Sequence, residues 1–164
     1  MGLDMYLYVK VEEYVTEDYK SPKGTRLNCK YPVDFNYVHD IIAYPSVSRV
    51  TSYKVGYWRK ANAIHRWFVD NIGNGVDDCK PLHVSLGDLK ALLAKCKKVL
   101  LEPYNAPEIL PTQDGFFFGP TDYDALYFKD IDKTIAILTP LIATIERLQQ
   151  ERKNYYEIEY EASW

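Results

Sequence analysis

Hydrophobic and polar positions alternate from the start of the chain. Leu3, Met5, Leu7, Val9 and Val11 fall on one side, and Asp4, Tyr6, Tyr8, Lys10 and Glu12 on the other. Successive side chains of a strand point to opposite faces, so this period of two predicts a half-buried β-strand. The tail repeats the pattern. Tyr156, Ile158, Tyr160, Ala162 and Trp164 oppose Tyr155, Glu157, Glu159 and Glu161. A second strand in the same sheet is expected there, which would tie down ends that otherwise fray.

Between these strands the pattern changes several times. Residues 16–32 are rich in turn formers and lack a period, which predicts a loop. Residues 33–55 lean towards strand: "VDFNYV" and "SRVTSYKV" read as two strands, with Pro45 disfavouring one continuous element. Residues 57–72, which begin inside "GYWRKANAIHRWFVDN" and end one residue beyond it, read as a helix ended by Gly73 and Gly75, since glycine accepts the left-handed backbone that follows a helix. A second helix opens at Ser85, a good N-cap, with Asp88 in the reciprocal capping position and a core stripe of Leu86, Leu89, Leu93, Cys96 and Leu100. Pro103, Pro107 and Pro111 predict a loop. A third helix begins near Thr121 or Asp122 and runs to about Arg152, kinked or split at Pro140. The fold class these elements define is α+β: an antiparallel sheet that includes the N- and C-terminal strands, with about three helices packed on one face.

Composition narrows the picture. The 164 residues suit a single domain, 1–164, and the 47% apolar and 26% charged content is that of a globular chain. The formal net charge of −3 argues against a broad nucleic-acid-binding surface. Three cysteines, Cys29, Cys79 and Cys96, form no CxxC pair, so neither a disulfide framework nor a structural zinc site is expected. No apolar run has the length of a membrane span, and the first residues lack the pattern of a signal peptide, so the cytoplasm is the expected location. Fifteen tyrosines are unusual. A ring with one polar tip suits either strand faces or a wet binding surface.

Candidate chemistry gathers in two stretches. On a helical wheel, Trp58, Ala61, Ile64, Phe68 and Ile72 form an apolar arc, while Arg59, Arg66 and Asp70 stack on the other side. Asn62 and His65 sit at the seam of that arc, where a polar group must find a partner or cost about 1–3 kcal/mol. They either hydrogen-bond to loop backbone and lock the fold, or face a ligand. Trp67, on the polar side, either packs beneath a loop or offers a stacking platform. Arg59 and Arg66 either grip a phosphate or are solvated, one of them paired with Asp70. The second stretch is "LPTQDGFFFGPTDYD", where Gly115 and Gly119 bracket three consecutive Phe. It reads as a central strand or as a loop that turns one ring outward. The helix start after it favours anions, but Asp122 and Asp124 would cancel that attraction. The spacing matches neither the P-loop nor the dinucleotide fingerprint. The scattered His39, His65 and His83 show no paired metal spacing. No metal and no cofactor are expected.

These motifs carry a resemblance. The opening "MGLDMYL", the "GYWRKANAIHRWFVDN" stretch, the "LPTQ-x-GFFFG" segment and an aromatic tail ending in Ser-Trp resemble a family of small proteins of phage and prophage genomes. The resemblance covers most of the chain outside residues 16–55 and maps onto Trp58, Arg59, Asn62, His65, Gln113, Gly115 and Phe117. It is a family label that brings no reaction with it. The residue types point to a small-molecule binding protein whose ligand is nucleotide-like and bears phosphate. An aromatic ring (Trp58, Trp67 or Phe117) would stack on a base, Arg59 and Arg66 would hold phosphate, and Asn62, His65 and Gln113 would read polar edges. The phage setting implies a counter-defence role, sequestering a nucleotide signal of host immunity. A nucleotide-processing enzyme with His65 as acid or base, and a protein-binding inhibitor with a Tyr-rich surface, are the alternatives. Assembly into a homo-oligomer is compatible with each.

Overall fold

The computed structural model describes residues 2–14, 48–151 and 156–164. The loop expected over residues 16–32 and the strand expected at "VDFNYV" lie outside them. The chain divides into two compact units, residues 1–10 with 52–164, and residues 11–51. What is described of the second unit is strand.

The sheet has four strands in the order β2-β1-β4-β3. They are β1 (Asp4–Tyr14), β2 (Ser48–Arg59), β3 (Leu82–His83) and β4 (Tyr156–Ser163). The fold is α+β, with an antiparallel sheet that takes in both terminal strands. Leu3, Met5, Leu7 and Val9 are buried in alternation, and Ile158, Tyr160 and Ala162 are buried on the neighbouring strand, where Glu159 between them is also buried, paired with Lys10. The helices are α1 (Asn62–Asn71), α2 (Leu86–Leu101), the short α3 (Ala106–Ile109) and α4 (Ala125–Gln150).

The core lies between the inner sheet face and these helices. In α1, Phe68 stacks on Tyr160 of β4 with centroids 3.9 Å apart. In α4, Thr134 accepts the indole N–H of Trp58 from β2 at 2.8 Å. Gly56 permits the close approach of α4, since an added Cβ would meet Ile137, Leu7 and Trp58, each at 3.1 Å. Helix α2 packs along α4. On the opposite sheet face Tyr6 lies between Tyr8 and Tyr57, at 6.1 and 5.4 Å, with the Lys54 ammonium 4.4 Å from its ring centre.

Several boundaries differ from the sequence reading. Strand β2 continues through Arg59, so Tyr57, Trp58 and Arg59 are not helical. Arg59 and Arg66 therefore do not share a helical line. The strand wins because alternation persists to the end: Gly56 and Trp58 are buried while Tyr57 and Arg59 are exposed. In α2 the capping box of Ser85 and Asp88 is present. Its buried stripe is Leu89, Leu92, Cys96 and Val99, whereas Leu100 is exposed. The proline-rich segment after α2 forms a turn of 3-10 helix at Pro103–Asn105 and then α3, with Pro107 in the first turn, where its missing N–H costs nothing. Helix α4 starts later than expected, capped by Asp124, and passes through Pro140 as one element. Its buried positions Ile131, Thr134, Leu138, Leu141, Ile142 and Ile145 keep helical spacing on both sides of the proline, so packing sustains what the lost hydrogen bond weakens.

Candidate functional site

The joint between β2 and α1 organises the site. Lys60 takes a left-handed backbone with φ 59°, which turns the chain from strand to helix. Its N–H donates to the Leu3 carbonyl at 2.8 Å, and the Leu3 N–H donates to the Phe117 carbonyl at 3.0 Å. The strand end, the first residues and the "GFFFG" segment are thus held together by backbone. That segment is a turn and not a central strand. Phe118 is buried, Phe117 is half-buried, and Phe116 is 96% exposed. Gly119 has φ 88° and lies against Lys60, where a Cβ would approach the lysine Cβ at 3.2 Å.

Asn62 locks the same joint. Its amide donates to the carbonyls of Phe118 at 3.2 Å and Pro120 at 2.8 Å, and its oxygen accepts the Gln113 N–H at 3.3 Å. His65 is 1% exposed. Its Nδ1 is 2.7 Å from the Tyr160 hydroxyl and its Nε2 is 3.0 Å from Asp77 Oδ2. Burial pushes the Tyr160 phenol well above its ordinary pKa, so it keeps its proton and donates to Nδ1, leaving Nε2–H to donate to the carboxylate. Phe118 and Trp164 close over the ring in T-shaped contacts, at 5.1 and 5.5 Å. The void beside His65 is about 10 Å³, too small for a ligand. At His65 the seam of α1 is therefore sealed by the "GFFFG" turn and the C-terminal strand.

The other expected ligand residues are dispersed. Trp58 is fully buried and spends its N–H on Thr134. Trp67 is buried and packs edge-on against Phe68 at 5.3 Å. Arg66 pairs with Asp70 at 3.2 Å and donates to the Thr112 carbonyl at 2.9 Å, strapping α1 to the loop. Gln113 leaves its side-chain oxygen buried with no partner among the described residues.

A cleft of about 370 Å³ opens on the outer side of the joint. Arg59 to Ile64 form one wall, Thr112, Pro120 and Asp122 the rim, and α4 from Asp124 to Lys133 the other wall. Of the expected ligand residues, Arg59 and Asn62 line it. Four cations meet here, Arg59, Lys60, Lys129 and Lys133, and none forms a carboxylate ion pair among the described residues. Lys133 stands 5.3 Å from the centre of the Tyr57 ring. The carboxylates are unequal. Asp124 is committed to capping α4, accepting from the N–H groups of Leu126 and Tyr127 at 2.9 and 3.1 Å. The free N–H groups that would draw an anion to this helix start are thereby occupied, so attraction falls to the side chains. Asp130 is half-buried, and desolvation pushes its carboxyl up to about 6 against the pull of Lys133 and Lys129.

Lysines 60, 129 and 133 and Asp130 were outside the sequence-level candidates. Lys129 and Lys133 are one helical turn apart, a signal that could have marked them, but only the strand–helix joint brings them opposite Arg59. No known family model, curated protein or solved structure matches the chain. Among the described residues, no helix is long and apolar enough to cross a membrane.

Proposed function

We propose that the protein binds a small phosphate-bearing ligand in the cleft between the β2–α1 joint and α4. The observation that carries this reading is the set of four cationic side chains around one concavity, none of them in a direct carboxylate ion pair among the described residues. These cations outnumber the carboxylates of Asp122, Asp124 and Asp130 in the same lining, and guanidinium and ammonium groups are the usual donors to phosphate. A volume of about 370 Å³ suits one molecule the size of a mononucleotide. The exposed apolar side chain that would meet its organic part is Leu126, with Ala61, Ile64, Tyr127 and Ile131 buried behind the cleft wall. In the phage setting implied by the sequence resemblance, sequestration of a host nucleotide signal in the bacterial cytoplasm is the role this reading gives the protein.

A panel of inorganic phosphate, mononucleotides and cyclic nucleotides, titrated by calorimetry, tests the reading. Arg59→Ala with Lys129→Ala is expected to abolish binding of whichever member binds. Unchanged affinity in the double variant would remove the cleft from consideration. Asp130 favours a second reading, conversion of the ligand, because its raised pKa lets the carboxyl exchange a proton near neutral pH. His65 does not support that role, since both its ring nitrogens are engaged in a sealed position. Chemical analysis of the recovered ligand separates the two readings.

A further inference from the structure

We propose a divalent transition-metal site on the outer face of the sheet, built from His83, Glu157 and Glu159. One ligand atom from each residue lies within 4.8 Å of the other two. Strand register brings them together. His83 of β3 is directly opposite Glu159 of β4, and Glu157 precedes Glu159 by two positions on the same strand face. Donors bound at about 2.0–2.2 Å from one ion stand roughly 3–4 Å apart, so a small side-chain rotation completes the set. His83 and Glu157 are exposed and neither has a hydrogen-bond or ion-pair partner among the described residues, which leaves both free to make that rotation.

Charge points the same way. Glu157, Glu159 and Glu161 lie at alternate positions of β4, and Lys10 pairs with Glu159. Among the described residues, the cation paired on this strand face is the Lys10 ammonium. Like charges at neighbouring positions of a strand face repel, and a dication here relieves that repulsion. Glu159 is buried, so its carboxylate is held at a fixed height above the sheet. Imidazole with two carboxylates is a donor set for Zn²⁺, Mn²⁺, Fe²⁺ or Co²⁺ and not one built for Ca²⁺ or Mg²⁺, which take oxygen ligands. A concavity of about 500 Å³, lined by His83, Ser85, Gln149, Tyr156 and Glu157, adjoins the site and leaves room for water in the remaining coordination positions.

The test uses the full chain, stripped with chelator and titrated with Zn²⁺ and with Co²⁺ alone. One ion per chain is expected. His83→Ala and Glu157→Gln, both at exposed positions, should each weaken binding by at least about tenfold. Lys10→Met should tighten binding, because the ammonium competes for Glu159. The Co²⁺ complex should show no thiolate charge-transfer band. Wild-type affinity in both the His83→Ala and Glu157→Gln variants would overturn the proposal. So would a thiolate band, which places the ion on cysteine, or the absence of saturable binding at millimolar metal.

Discussion

Asp130→Asn isolates the energetic cost of the cleft. The carboxyl rests half-buried in the α4 wall, and desolvation raises it from 3.8 to about 6. A shift of one unit corresponds to about 1.4 kcal/mol of difference between the two protonation states. The full shift would correspond to about 3 kcal/mol, and solvent screening at a half-buried position reduces this to about 1–2 kcal/mol. The sign follows from linkage. A carboxyl raised in the folded state favours folding when protonated, so its contribution is complete below pH 3.8 and is lost as pH rises through about 6. Asparagine does not titrate. The variant should match the wild type near pH 4 and exceed it by about 1–2 kcal/mol above pH 7, equivalent to roughly 3–6 °C in Tm for a chain of this size. Urea unfolding followed by circular dichroism at pH 4, 5, 6, 7 and 8 measures the difference directly. A stability gap that is flat across this range, or that shrinks as pH rises, would refute the reasoning. The same substitution removes a negative charge beside the four cations, so any anion that binds the cleft should bind the variant more tightly at pH 8.

Other outcomes follow from single contacts. Ser85→Ala breaks the capping box of α2 and should cost about 1 kcal/mol in urea unfolding. Asn62→Ala leaves two loop carbonyls and one N–H without their side-chain partner; about 2–4 kcal/mol should be lost, with faster proteolysis within residues 112–120. Cys96→Ala should leave the number of thiols titratable in the native protein unchanged, because burial pushes the Cys96 thiol up to about 12. Phe116→Ser should change stability by less than about 0.5 kcal/mol, since its ring is 96% exposed.

The terminal strands were legible because each turns its apolar residues to the core, so period two is written directly into the residue types, even though Glu159 on the other face of β4 is buried too. The Ser85 cap was legible because it is local chemistry. The β2–α1 boundary was not. Trp58 and Ala61 fit a helical arc as well as a strand followed by a turn, and the deciding feature is the left-handed Lys60, a lysine in a conformation its sequence does not announce. The site suffered most from that ambiguity. Asn62 and Arg59 line the cleft, but the rings expected beside them are spent on the core: Trp58 on Thr134, Trp67 on Phe68. Of the alternatives open for His65, the geometry favours the locking one, which a wheel cannot distinguish because Tyr160 and Asp77 arrive from distant parts of the chain. Lys129, Lys133 and Asp130 look like an ordinary solvated helix face until Arg59 and Lys60 are set opposite them.

The Leu3 clasp has a practical consequence. Gly2 sits where a Cβ would reach the Lys60 side chain at 3.0 Å and the Arg59 guanidinium at 4.0 Å. A polypeptide fused at that end is tethered beside the two cations that form one wall of the cleft. A purification tag on that end, above all one with acidic residues, would act as a tethered competitor at high local concentration and could silence a binding assay that the untagged chain would pass.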